Sequence, residues 1–241
     1  MGKIHRTAVF PRTPISLSLN KFQSCRLCSS FTDCLGNQYS GNSVYSVLHV
    51  DKNFEDWDTL ESLIWDCKDS GKLLRLIIDK KIPKNVLWAS SYDALNILQV
   101  TVNMLELPDN LVWIRELIHL ANNCGLYVVL FLNSIVPTVV KTYQVIDIMD
   151  MVRNCGHHNF AINFAQFERC KSSDGFVNFN GHPVPTKYLE KTKLGWKCSQ
   201  QFIEDFVSKI NCYVIPRKVS MSVCGTLQDC TGLGDRHVTK N

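Results

Sequence analysis

Asn123-Cys124-Gly125 runs directly into Leu126-Tyr127-Val128-Val129-Leu130-Phe131-Leu132, and this junction decides the fold class. Before it, Trp113, Leu117, Ile118 and Leu120 recur at helical spacing among Val112, Arg115, Glu116 and His119, so residues from Pro108-Asp109-Asn110 onward read as a capped amphipathic helix. Gly125 closes the helix because glycine accepts the left-handed conformation of a helix C-terminus. The continuous apolar run that follows fits a strand buried on both faces, as in a parallel sheet.

The same junction recurs on either side. Upstream, Phe54, Trp57, Leu60, Leu63, Ile64 and Cys67 mark a helix that Gly71 ends, and Leu73-Leu74-Arg75-Leu76-Ile77-Ile78 follows as a strand. Downstream, a helix over Val139 to Arg153 closes at Asn154-Cys155-Gly156 and enters Asn159-Phe160-Ala161-Ile162-Asn163-Phe164. Gly125 and Gly156 are 31 residues apart, close to one strand-plus-helix unit. Counted from the N-terminus, six strands are expected: 15–20, 73–79, 86–89, 97–103, 126–133 and 159–165. Residues 44–50 fit a strand or the start of a helix. Beyond Lys171 the rhythm breaks at Gly175, Gly181, Pro183 and Pro185; a helix near Gln200 to Ile210 and a strand near Cys212 to Ile215 follow, and residues 225–241 read as a loose tail.

Parallel strands with intervening helices curl into a full or partial barrel, or lie as an open doubly wound sheet. In both, ligands bind at the C-terminal ends of the strands. Polar residues stand at those ends: Ser90 and Ser91 after 86–89, Thr101 and Asn103, Asn133 and Ser134, then Asn163, Gln166 and Glu168. Polar residues cap many strand ends, so only part of this set points to a site.

At 241 residues the chain can bury one substantial core. It has no apolar run of about 18 residues, so no membrane span is expected. Met1-Gly2-Lys3-Ile4-His5-Arg6 has no apolar stretch behind it, against a secretory signal. Eleven cysteines with nothing routing the chain outward point to the reducing cytoplasm, where thiols pack or bind metal. A net charge of +4 permits nucleic-acid binding without establishing it. Lys80, Lys81 and Lys84, and Lys187, Lys191, Lys193 and Lys197 beside Tyr188 and Trp196, are the basic groups such binding would use; a solvated face is the plainer reading.

Cys25, Cys28 and Cys34 lie in a polar loop after Ile15-Ser16-Leu17-Ser18-Leu19-Asn20. Three thiolates can hold one soft metal centre and leave a coordination position open. Zinc is the rival metal, with Cys25 and Cys28 as half of a knuckle. Cys224, Cys230 and His237 form a weaker second constellation. Cys67, Cys124 and Cys155 are expected to pack as small apolar groups, and Cys170, Cys198 and Cys212 to follow them. His157-His158 is expected on a loop surface, and His49 and His119 are expected to be structural.

A three-cysteine loop after the first of six expected parallel strands resembles the radical SAM superfamily over roughly residues 15–168, with Gly125 to Pro137 nearest and a fainter likeness to its spore-photoproduct-lyase-like branch. The spacing here is C-x2-C-x5-C where the family commonly has C-x3-C-x2-C, and Asp79-Lys80-Lys81-Ile82-Pro83 stands where the family has a glycine-rich segment. The resemblance implies an α/β fold, a parallel-stranded partial (β/α)6 barrel over residues 1–170, with a C-terminal extension over 171–241 packed on it. It implies a [4Fe-4S] cluster on Cys25, Cys28 and Cys34, whose open iron chelates S-adenosylmethionine. One electron from a partner donor would cleave that cofactor to a 5′-deoxyadenosyl radical. Ser90, Thr101, Asn103, Asn133, Ser134 and Gln166 would line the cofactor, with Thr101 and Asn103 toward the ribose. The substrate is not readable, and a nucleic acid is one option. The contrasting expectation is a non-catalytic, zinc-stabilised module that binds a nucleic acid or a protein.

Overall fold

The structure, a computed structural model, describes residues 4–6, 45–50, 54–107, 111–168, 170–192, 195–217 and 219–224. Strands β1 (Ile4–Arg6) and β2 (Tyr45–Val50) come first. Alternation follows: α1 (Trp57–Asp69), β3 (Leu73–Ile78), α2 (Lys84–Ser90), β4 (Ile97–Asn103), α3 (Val112–Asn123), β5 (Tyr127–Ile135), α4 (Thr142–Arg153) and β6 (Asn159–Phe164). Six short strands come next: β7 (Gln166–Glu168), β8 (Ser172–Ser173), β9 (Phe176–Phe179), β10 (His182–Pro185), β11 (Leu189–Lys191) and β12 (Gly195–Cys198). Helix α5 (Gln200–Val214) and β13 (Ser220–Cys224) end the described chain.

The principal sheet has the order β1-β2-β3-β4-β5-β6-β13. β1 is antiparallel to β2, and every other pairing in it is parallel. The order never reverses, which distinguishes it from a doubly wound sheet. Crossovers of one hand, the general rule for parallel strands, would set the described helices on one side. Accordingly, the buried faces of the helices (Leu60 and Ile64; Val86 and Leu87; Ile114, Leu117 and Ile118; Val145, Ile148 and Met149; Ile203, Phe206 and Ile210) join one apolar cluster. The same cluster contains Leu74, Leu76 and Ile78, Leu98, Val100 and Val102, Val128, Leu130 and Leu132, and Phe160, Ile162 and Phe164. These are alternate residues of successive strands, so they occupy one face of the sheet. Burying side chains of this size at roughly 2 kcal/mol each is the main source of stability.

Three positive-φ glycines carry the helix-to-strand junctions read from the sequence: Gly71, at φ +62° with the Lys72 amide turning back to Cys67, and two more. Gly125 and Gly156 both have φ +78°, and the Leu126 and His157 amides turn back to Ala121 and Val152 of the preceding helix.

Three expectations change and one open alternative is resolved. Val86–Ala89 is not a strand but the body of α2, whose N-cap is Pro83; a short apolar run does not distinguish the two, and a proline just before the first turn gives up no helical N–H. Cys212–Ile215 is not a strand: Cys212, Tyr213 and Val214 are the last residues of α5, Ile215 is its C-cap, and Tyr213 and Val214 continue the buried spacing of Ile203, Phe206 and Ile210. Residues 45–50 are a strand. Residues 171–241 are not simply an appended extension, because β13 pairs with β6 in the principal sheet. Only the β7–β12 stretch leaves it, forming two three-stranded antiparallel sheets joined by a Phe167–Phe179 edge contact with centroids 4.7 Å apart. The expected strand at 15–20 and tail at 225–241 lie outside the described residues.

Candidate functional site

The face of the sheet turned away from the helices is built differently. Gln99, Thr101 and Asn103 alternate with the core residues of β4, and Arg75 does so in β3. Arg75 is 1% exposed and Gln99 0%, so a guanidinium and a carboxamide lie inside the protein. Burial of such groups is costly unless they are hydrogen-bonded. Here Arg75 Nη2 donates to Gln99 Oε1 across the strands, and Gln99 Nε2 donates to Thr101 Oγ1 at 3.3 Å. Val129, Phe131 and Ala161, also fully buried, flank this ladder on β5 and β6.

At the C-terminal end of the same face the ladder meets a row of asparagines. Asn103 and Asn133 are register partners on β4 and β5, and Asn163 Nδ2 on β6 donates to Asn133 Oδ1 at 2.8 Å. Asn163 is in turn the register partner of Cys224 on β13. All three asparagines and Thr101 are half-buried. The loop after β4 is pinned to the row: Leu105 N donates to Asn103 Oδ1 at 3.2 Å, and Met104 N to the Asn133 carbonyl at 2.9 Å. Just beyond the row, Ser134 and Thr138 have φ +65° and +68°, in the left-handed region that side chains other than glycine avoid. The β5–β6 register shifts between Leu132 and Ile135 at the same place. The small sheet is anchored alongside, with Cys198 Sγ 3.7 Å from the Ala165 carbonyl and 3.9 Å from that of Ile135. Burial raises the Cys198 thiol pKa well above its ordinary value, so this cysteine stays protonated and structural.

Of the residues expected to line a cofactor, Thr101, Asn103 and Asn133 come together, with Ser134 adjacent in sequence. Gln166 opens β7, its backbone paired with Lys197. Ser90 is a correction: it ends α2 at the opposite, N-terminal end of the strands, 1% exposed, with its hydroxyl donating to the Val86 carbonyl at 2.7 Å. Cys25, Cys28, Cys34, Cys230 and His237 lie outside the described residues, and of Cys224 the backbone alone is described. Among the described residues no three His, Cys, Asp or Glu side chains converge as a metal site.

His157 is a second correction. It is 2% exposed rather than on a loop surface, and its Nε2 donates to the Asn159 carbonyl at 2.6 Å. Burial, with a smaller repulsion from His158, pushes its pKa down to about 4. Cys67 is buried as expected, Cys124 and Cys155 are half-buried, and Cys212 is exposed. The basic groups are partly engaged: Lys81 pairs with Glu116 at 2.9 Å and Lys197 with Glu190 at 3.4 Å, Lys80 reaches the Phe54 carbonyl, and Lys187 lies over Tyr188.

Arg75 and Gln99 are the site residues that the sequence reading missed. The available signal was a charge inside the otherwise apolar run 73–78. Comparison with known proteins yields no relative: no family model matches the chain, nor does any curated protein or solved structure.

Proposed function

We propose that the chain is an iron–sulfur enzyme of the radical SAM kind, its strands curled as a partial barrel around a site at the C-terminal end of the sheet, on the face turned away from the described helices. The observation that carries this reading is the Asn103–Asn133–Asn163 row: half-buried carboxamides on three adjacent parallel strands, at the end where α/β enzymes bind ligands, in a sheet whose order never reverses. The donor set fits the polar parts of S-adenosylmethionine, since carboxamides and a threonine hydroxyl can hydrogen-bond its ribose hydroxyls and its carboxylate. Cys25, Cys28 and Cys34 would hold the cluster, which when bound supplies the electron for reductive cleavage of S-adenosylmethionine. The chain's own task is to bind, orient and exclude water. Thr101, Asn103 and Asn133 orient the ligand, and the buried Arg75–Gln99 pair fixes Thr101 from beneath.

The test is anaerobic reconstitution with iron and sulfide. The expected protein is brown, binds about four irons for one [4Fe-4S] cluster, and with dithionite releases 5′-deoxyadenosine from S-adenosylmethionine. Cys28→Ala is expected to abolish the colour and Cys155→Ala to spare it. A colourless protein that carries one zinc, or equal loss of colour in both variants, would overturn the reading.

A further inference from the structure

Hydrogen-bond polarity on the second face is set by groups that can only donate. A guanidinium has no acceptor, so its contact with Arg75 makes Gln99 present Oε1 to it. Gln99 Nε2 must then face Thr101 Oγ1. With its oxygen already accepting, Thr101 has its hydroxyl hydrogen left to give. Asn103 is set the same way: the Leu105 backbone N–H occupies its Oδ1 and leaves Nδ2 as its remaining polar atom. Asn133 accepts through Oδ1 from Asn163 and likewise keeps its Nδ2. Two adjacent strands thus present one O–H and two carboxamide N–H groups side by side, all half-buried, above a buried positive charge.

We propose that Thr101, Asn103 and Asn133 form an oxyanion-binding site that takes the carboxylate or phosphate group of the enzyme's ligand. An oxyanion only accepts, so it can use every donor of the row, and hydrogen bonds to a charged acceptor are the stronger kind. The site is the one proposed above, but the assignment rests only on that location and not on the cluster.

The experiment uses the full chain as purified, without reductant or S-adenosylmethionine, so a failure of the iron chemistry leaves it unaffected. Sodium pyrophosphate and sodium acetate are titrated separately by calorimetry at low ionic strength. Saturable binding of one of them is expected: pyrophosphate would mark a phosphate-bearing ligand, acetate a carboxylate. Thr101→Val removes one donor and is expected to weaken binding about tenfold. Gln99→Glu tests polarity directly. A glutamate still accepts from Arg75 but cannot donate to Thr101, so the Thr101 hydroxyl turns inward and offers lone pairs outward. Binding is expected to fall by at least about tenfold, through the turned hydroxyl and the added carboxylate charge together, while the thermal midpoint does not drop. Absence of binding by both anions, or wild-type affinity in both variants, overturns the proposal.

Discussion

At the N-terminal end of the sheet, buried polar groups are closed off in pairs. Asn96, 0% exposed, accepts from the Leu74 amide at 2.7 Å and donates to the Ser90 carbonyl at 2.8 Å, while the Ser90 hydroxyl and the His157 ring each find a carbonyl of their own. At the C-terminal end, Thr101, Asn103, Asn133 and Asn163 are half-buried, keep hydrogen-bonding capacity, and adjoin two residues with left-handed backbone. The first arrangement fastens strand to helix. The second costs stability where it stands, which is the pattern of a ligand site.

Paired alanine substitutions test this contrast most strongly. Asn96→Ala strands the Leu74 amide and the Ser90 carbonyl inside the protein, and at about 1–3 kcal/mol for each unsatisfied group it is expected to cost about 4 kcal/mol. Asn103→Ala, at a half-exposed position, is expected to cost under about 1 kcal/mol. Urea midpoints at an unchanged slope would show the difference; equal losses would erase the distinction between the two ends.

The pH dependence of stability probes the closed end alone. His157 is held neutral by burial, with a pKa near 4 in the fold against 6.5 when free. Between those values the unfolded chain binds more protons than the folded one, so stability rises with pH across the window. It is fully present above about pH 6.5 and is lost progressively toward pH 4, by up to about 3 kcal/mol. His157→Gln is expected to flatten this part of the profile. An unchanged slope in that variant would assign the dependence to other groups.

The letters carried the closed part of the architecture better than the open part. The glycine junctions at Gly71, Gly125 and Gly156 were legible because a left-handed helix end followed by an apolar run has few other readings. The row at Thr101, Asn103 and Asn133 was legible as polar residues closing apolar strands. Val86–Ala89 was misread because four apolar residues fit either period, and His157 because adjacency to His158 says nothing of burial. Arg75 left one mark, a charge inside the apolar run 73–78, but its pairing with Gln99 was hidden because a partner contributed by another strand leaves none in the local sequence. The backbone at Ser134 and Thr138 was equally silent, since neither residue is one that turns favour for positive φ.

That strain gives the smallest effect and the opposite sign. A β-branched residue in the left-handed region costs about 1–2 kcal/mol, and Thr138 has φ +68°. Glycine removes this cost but gives the unfolded chain more freedom, which returns roughly 0.5–1 kcal/mol. The Lys141 ammonium, 2.5 Å from the Thr138 carbonyl, bonds to backbone and survives the change, while the hydroxyl contact to the Pro137 carbonyl is only half-buried. Thr138→Gly is therefore expected to stabilise the protein by about 0.5–1 kcal/mol, a rise of roughly 1–4 °C in thermal midpoint for a chain of this size. If the held backbone serves the neighbouring row, the same variant binds the anion probe more weakly even as it melts higher. A variant that melts lower would mean that the left-handed turn is not strained, and the C-terminal end would lose one of the two features that set it apart.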